Sequence, residues 1–136
     1  TKVMNEIAQT SMRHIYQVED LKKCEGDTFE NFKKFNVGLF QRTTRDRTWH
    51  MDSYTDETDK LTLTVTTCAN VELFGELGVP ELGKFGCDHD LAGYPAIEDD
   101  VNCEFRRFCT IAKGDDRCVF EFFRKGTAPD NAHLNK

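Results

Sequence analysis

The sequence predicts an α+β fold: an antiparallel β-sheet that includes a C-terminal hairpin, packed against several helices. Three observations carry that reading. Residues 60–68, KLTLTVTTC, alternate leucine and valine with threonine, the period of a strand with one buried face. Residues 101–125 read as two strands joined by a tight turn at Gly114, Asp115 and Asp116. Glycine tolerates positive φ there, and aspartate can bond its own backbone. Residues 2–16 place Met4, Ile7, Ala8, Ser11, Met12 and Ile15 at three- and four-residue spacing, the mark of an amphipathic helix.

The first helix turns that face to the core or to a second copy of the chain, so a homo-oligomer through this helix is one expectation. His14 lies beside the face. Residues 18–26 read as a connector. Asp27, with Glu30 three residues on, has the pattern of a capping box. A short helix then runs to about Phe35, with Phe29, Phe32 and Phe35 placed to pack, and Gly38 ends it. Residues 39–49 are rich in Thr and Arg and close on Trp49, which favours a strand, with a turn in 52–59. Arg42, Arg45 and Arg47 are either solvated or a site for an anion.

Along 60–68, parity puts Thr67 on the apolar face and Cys68 on the threonine face. A helix over 71–77 ends at Gly78, and Pro80 opens another that reaches about Asp90. Gly83 and Gly86 weaken that helix and allow close approach of another backbone. Residues 91–100 read as a loop whose acidic run Glu98, Asp99, Asp100 is a solvated turn. In the hairpin arms, 102–112 and 117–124, Phe105, Arg107, Cys109 and Ile111 share one face, and Arg106, Phe108 and Thr110 the other. Neither arm has a wholly polar face, so both sides are expected to be covered. The organisation expected is one domain over 1–136: N-terminal helices in 1–36, an α+β core in 37–125, and a polar, fraying tail in 126–136.

Composition excludes several classes of function. The chain has 136 residues, enough for a core without disulfides. No apolar run approaches the ~20 residues that span a bilayer, and no secretory signal pattern is present. A cytoplasmic protein without a membrane partner is therefore expected. Net charge is −6, and no Lys/Arg cluster offers the basic face that nucleic acid needs. Thr1 is read as a trimmed end, with an amine-activated N-terminal nucleophile as the alternative. The six cysteines include no CxxC pair, and reduced thiols are expected. No cofactor is expected. A metal would have to use Cys68, Cys87 and Cys118 or His89, and no compact ligand spacing supports one.

The candidate chemistry gathers around four side chains. Cys68 sits where a strand runs into a helix, and the positive helix end favours thiolate; the alternative is a packed junction cysteine. Residues 86–90, GCDHD, hold a thiol, two carboxylates and an imidazole. Adjacent helical residues point apart, so only Cys87 and Asp90 share a face and His89 is expected outside the site. Arg107 lies among apolar neighbours and needs an anion, from a substrate carboxylate or from Asp90 or Glu76.

These segments together resemble a known family. TTC at 66–68, ELFGELGVPEL at 72–82, FGCDHD at 85–90, Arg107, and TIAKGDDRCVFEF at 110–122 stand in the order of the L-2-amino-thiazoline-4-carboxylic acid hydrolase family. The resemblance covers roughly 49–123. It implies hydrolytic opening of a 2-amino-thiazoline ring to an N-carbamoyl cysteine, on a small-molecule substrate. It implies Cys68 or Cys87 as the reactive thiol and Asp90 as base or orienter. Arg107 would hold the substrate carboxylate, and Cys118 matches a family position, with packing as its alternative role; Glu76, read from the residues, is a further substrate-side candidate. The Gly-Asp-x-x-Cys-x-Phe hairpin is also similar to the vinyl-reductase-type small-molecule-binding domains, which implies the alternative of a ligand-binding module without turnover.

Overall fold

A computed structural model describes residues 2–130 of the chain. Thr1 and the end of the polar tail lie outside the described residues. The fold is α+β. Strands β1 (Trp49–Asp56), β2 (Lys60–Cys68), β3 (Cys103–Cys109) and β4 (Cys118–Arg124) form one antiparallel sheet in the order β1-β2-β4-β3. The threonine–leucine alternation of β2 does what its period dictates: Leu61, Leu63 and Val65 are buried. Cys118, Phe120 and Phe122 continue the same layer on β4, while Val119, Glu121 and Phe123 are only half-buried. The hairpin is thus fully covered on one face and partly on the other, where Arg106 is buried. Phe122 is the hub of the core, with ring centroids 5.5 Å from Phe32, 5.1 Å from Tyr94 and 5.3 Å from Phe105.

Helices α1 (Lys2–Ile15), α2 (Val18–Lys23), α3 (Thr28–Arg45), α4 (Ala69–Glu76), α5 (Glu81–Gly93) and α6 (Glu98–Val101) complete the architecture, with single 3₁₀ turns at Tyr94–Ala96 and Ile111–Lys113. Asp27 caps α3 by accepting the Phe29 N–H at 2.9 Å. Glu30, the expected reciprocal partner, instead pairs with Lys33 at 3.1 Å and Arg124 at 3.5 Å. Gly38 does not end this helix, and residues 39–45 are helical, not the strand their composition favours. Phe29, Phe32, Lys33, Asn36 and Phe40 form one buried stripe at helical spacing. Packing of that stripe outweighs the ~1 kcal/mol a glycine costs in a helix interior. Thr43 and Thr44 are accommodated by bonding back to the Phe40 carbonyl at 2.9 and 2.8 Å. The strand therefore starts at Trp49 and the turn tightens to Glu57–Asp59.

Three further expectations change. Residues 18–23 form a helix, anchored by buried Val18 and Leu21. Residues 91–93 extend α5, and the acidic run forms α6 instead of a solvated turn. Asp100 pairs there with Arg13 at 2.6 Å and Lys22 at 3.1 Å, and Glu98 accepts the Phe105 N–H at 2.9 Å. The described start of the tail is tied down: Gly126 donates to Glu104 at 3.1 Å and the Pro129 carbonyl accepts from Arg106 at 3.0 Å. Backbone approach occurs at Gly83, where a Cβ would lie 3.7 Å from the Val71 Cα, but not at Gly86, and it is tightest at Gly93. A Cβ on Gly93 would stand 2.7 Å from Met12 Cε and 3.2 Å from the Ala8 carbonyl, so this glycine lets α1 lie against α5. Ala8 and Met12 are the buried part of the α1 face; Met4, Ile7 and Ile15 remain exposed.

The sheet carries three register shifts; between Met51 and Ser53 the pairing skips Asp52 on β1, and the other two bear on the cavity. Between His50 and Met51 the pairing of β1 with β2 skips Thr66, and between Arg107 and Cys109 the pairing of β3 with β4 skips Phe108. Each extra residue reverses the alternation beyond it. Phe122→Ala is expected to cost about 3–5 kcal/mol, the range for emptying a packed aromatic position. Urea denaturation would show it as a lower midpoint at unchanged slope.

Candidate active site

Between the sheet and helices α1, α3, α4 and α5 lies a cavity of about 310 Å³. The sheet contributes Val65, Phe120 and Trp49 to its wall, and α3 contributes Leu39 and Phe40. Cys68, Cys87 and Cys118 also line it, with Asp90, His89 and Thr110. The bulges explain part of this convergence. Thr66 is the extra residue on β2, so Cys68 returns to the wall that Val65 lines instead of staying on the threonine face. Phe108 is the extra residue on β3 and is exposed, and Thr110 swings inward beside Arg107. Sequence parity alone sets Thr110 on the face opposite Arg107. Nothing in the local sequence marks either bulge.

Helix α5 supplies the densest chemistry. Cys87 and Asp90 share its inner face, as their three-residue spacing requires. Cys87 Sγ lies 2.9 Å from Thr110 Oγ1, which lies 3.5 Å from Cys118 Sγ. Cys118 Sγ also accepts the Ile111 N–H at 3.2 Å. Asp115, from the turn, holds Thr110 by accepting its backbone N–H at 2.8 Å. His89 lines the cavity too, contrary to the expectation that it would lie outside. Cys68 occupies the N-cap position of α4, and its side chain makes no capping bond.

Arg107 lies behind this wall rather than on it. Its side chain is only 2% exposed. Nη1 donates to the Cys87 carbonyl at 2.7 Å, lies 3.1 Å from Cys87 Sγ, and donates to Asp90 Oδ2 at 3.2 Å. Nη2 stands 3.6 Å from Asp88 Oδ1. The anion that Arg107 needs is therefore internal, chiefly Asp90. The Arg107 donors are directed at internal acceptors of α5. Glu76, the other acidic candidate, is exposed on α4 and does not line the cavity. Arg42, Arg45 and Arg47 do not line it either.

Burial governs the titration of these groups. It pushes the Cys87 thiol up to about 11, against the opposing pull of Arg107 and the Thr110 hydroxyl. It raises the Asp90 carboxyl to about 6, against the same guanidinium. The Cys118 thiol is also raised, and His89 is lowered, both by burial. Above Asp90, the Tyr16 hydroxyl donates to Asn36 Oδ1 at 2.8 Å and stands 2.6 Å from the Tyr94 hydroxyl. Burial raises both tyrosines. Sequence reading missed this tyrosine pair, Trp49 and Thr110 as site residues. No local pattern singles them out, and only the meeting of distant elements makes them cavity wall. No group of three or more His, Cys, Asp or Glu able to hold a metal occurs among the described residues. No described helix is long and apolar enough to cross a membrane.

The model of the L-2-amino-thiazoline-4-carboxylic acid hydrolase family matches residues 1–122 of the 136. The chain belongs to that family. The match includes the N-terminal helices, beyond the segment whose motifs carried the resemblance. Neither the comparison with curated proteins nor that with solved structures gave a match. In this family member, the cavity joins the thiols of β2, α5 and β4 to the carboxyl of α5.

Asp90 titrates higher in the folded chain than the ~3.9 of an unfolded aspartate. Folding therefore favours its protonated form, and its contribution to stability falls as pH rises from about 4 to about 6. Arg107→Gln removes the charge that opposes burial, so the Asp90 titration is expected to move above 6, while Arg107→Lys keeps it near 6. Carboxyl titration by NMR checks both.

Proposed function

We propose that this protein is a cysteine-dependent hydrolase acting on a small substrate with an amidine-like C–N/C–S bond, in the manner of 2-amino-thiazoline-4-carboxylate ring opening. The observation that carries the reading is the convergence of Cys87, Asp90, Thr110, Cys68 and Cys118 on one cavity, in a chain of the hydrolase family. Cys87 is the favoured nucleophile. Its sulfur and the Asp90 carboxylate meet the same guanidinium nitrogen, and a hydroxyl stands 2.9 Å away. Cys68 is the second candidate, and Cys118 supports the wall.

The steps follow from those positions. Asp90, ionised above about 6 and on the same face of α5, acts as the base that takes the Cys87 proton. The thiolate attacks the amidine carbon and forms a new C–S bond. The tetrahedral adduct then breaks the ring C–S bond, and the ring sulfur leaves as a thiol with the proton Asp90 held. The remaining isothiourea is linked to Cys87. Water, deprotonated by Asp90, attacks the same carbon. The Cys87–carbon bond breaks, the thiol recovers its proton, and a carbamoyl product with a free thiol departs. Arg107 holds Asp90 and the Cys87 backbone in register and disperses negative charge on sulfur. The apolar wall excludes bulk water from the adduct.

Cys87→Ala is expected to lower thiol release on the order of 10⁴-fold or more, with far-UV circular dichroism and melting temperature close to those of the parent. Full activity in both Cys87→Ala and Cys68→Ala would sink the covalent route. The pH profile separates it from attack by carboxylate-held water. Both routes need ionised Asp90 and rise through about 6. The covalent route uses the Cys87 proton again on the leaving sulfur, so it is level above 6 and falls as that proton is lost toward about 11, whereas the water route stays level.

The raised Cys87 titration favours a second reading, a small-molecule-binding domain of the vinyl-reductase type in which the thiols only pack. Alkylation of the folded protein discriminates. A cavity thiol that reacts fast below the ordinary ~8.5 supports turnover. Uniformly slow thiols support binding alone.

A further inference from the structure

The walls of the cavity bear on which substrate it takes. The described residues that line it include no lysine and no arginine. Its charged group is Asp90, and the cation nearest to that carboxylate, Arg107, is turned away into the protein. His89 is the one lining side chain able to become a cation, and burial holds it towards the neutral form. A substrate carboxylate in this space would lose its hydration, meet no cation and face Asp90. The chain's net charge of −6 adds to that repulsion. An amidinium has the opposite fit, since its N–H groups can donate to the Asp90 carboxylate.

The rest of the space is mainly apolar, with Asn70 and Thr110 as uncharged polar groups. Phe40 stands between Trp49 and Phe120, with centroid distances of 6.0 and 5.6 Å, and all three line the cavity. A lone five-membered ring leaves much of this volume empty. The mouth is apolar as well: Met4, Ile15 and Phe85 line the cavity and are 52%, 43% and 63% exposed. Such an entrance suits a molecule that sheds water easily.

We propose that the site takes a substrate whose amidine-like head is joined to an apolar, ring-sized body and carries no carboxylate. The head lies at Asp90 and Cys87, and the body lies against Phe40, Trp49 and Phe120. This substrate class rests on the hydrolase reading above for its head group and on the cavity wall for its body.

Trp49 is the single tryptophan of the chain and lines the cavity, so its emission reports occupancy directly. Three probes are titrated: 2-amino-2-thiazoline, its 4-carboxylate, and its 4-phenyl derivative. The phenyl compound is expected to bind about tenfold or more tighter than the parent ring, and the carboxylate more weakly than it. Met4→Lys adds a cation at an exposed rim position and is expected to recover carboxylate binding without loss of fold. A carboxylate that binds the parent protein as tightly as the phenyl compound, or no emission change with any probe, overturns the proposal. Release of free thiol is followed separately. The phenyl preference without thiol release keeps this ligand class and removes the hydrolase reading. A carboxylate preference with thiol release does the reverse.

Discussion

The constraint on which this structure turns is the burial of the Arg107 guanidinium. A cation this enclosed is stable only if its hydrogen-bonding edge is satisfied by oxygen and its charge by an anion. The Cys87 carbonyl and the Asp90 carboxylate meet both needs. Both belong to α5, so a single side chain of β3 pins that helix against the sheet. Leaving such a cation unpaired costs about 3–5 kcal/mol, a large share of the stability of a domain this size. The helix is thereby held in the rotation that turns Cys87 and Asp90 towards the cavity. A residue that the sequence nominated for grasping substrate thus bonds the Cys87 carbonyl and the Asp90 carboxylate.

The same arrangement sets the chemical character of the site. The cavity is enclosed mainly by rings and aliphatic chains, so charge there is costly unless it is shared. Asp90 retains an acidic proton to about 6 and Cys87 keeps its own to about 11 because burial outweighs one guanidinium. Thr110 links the two buried thiols on either side of it. The dry wall that raises the thiol titration also strengthens every remaining electrostatic contact, which is the condition under which a brief thiolate is useful.

Legibility varied with the kind of signal. Strand β2 and the hairpin were readable because an alternating pattern and a Gly-Asp turn are local facts. The Asp27 cap was readable for the same reason. The length of α3 was not, because Gly38, Thr43 and Thr44 are weak helix formers whose cost is met by Phe32, Asn36 and Phe40 packing on a sheet formed later in the chain. Helix α6 was misread because its Asp100 is satisfied by Arg13 and Lys22, about 80 residues distant in sequence. Cys68, Cys87, Asp90 and Cys118 were identifiable as chemistry-bearing groups. Glu76 was nominated beside them and lies on the exposed side of α4.

By itself the sequence determined the α+β class, the strand and hairpin that build the sheet, the family, and the pairing of Cys87 with Asp90 on one helical face. Each of these depends on spacing within a few residues or on a motif order along the chain. Tertiary structure alone decided that Arg107 spends its charge inside the protein, that Thr110 joins the thiols, and that the cavity is apolar. The physical reason is the two bulges and the packing of α5. One skipped residue in a ladder reverses a face without leaving a mark in the sequence, and whether a buried cation meets substrate or protein depends on which anion the fold brings within reach.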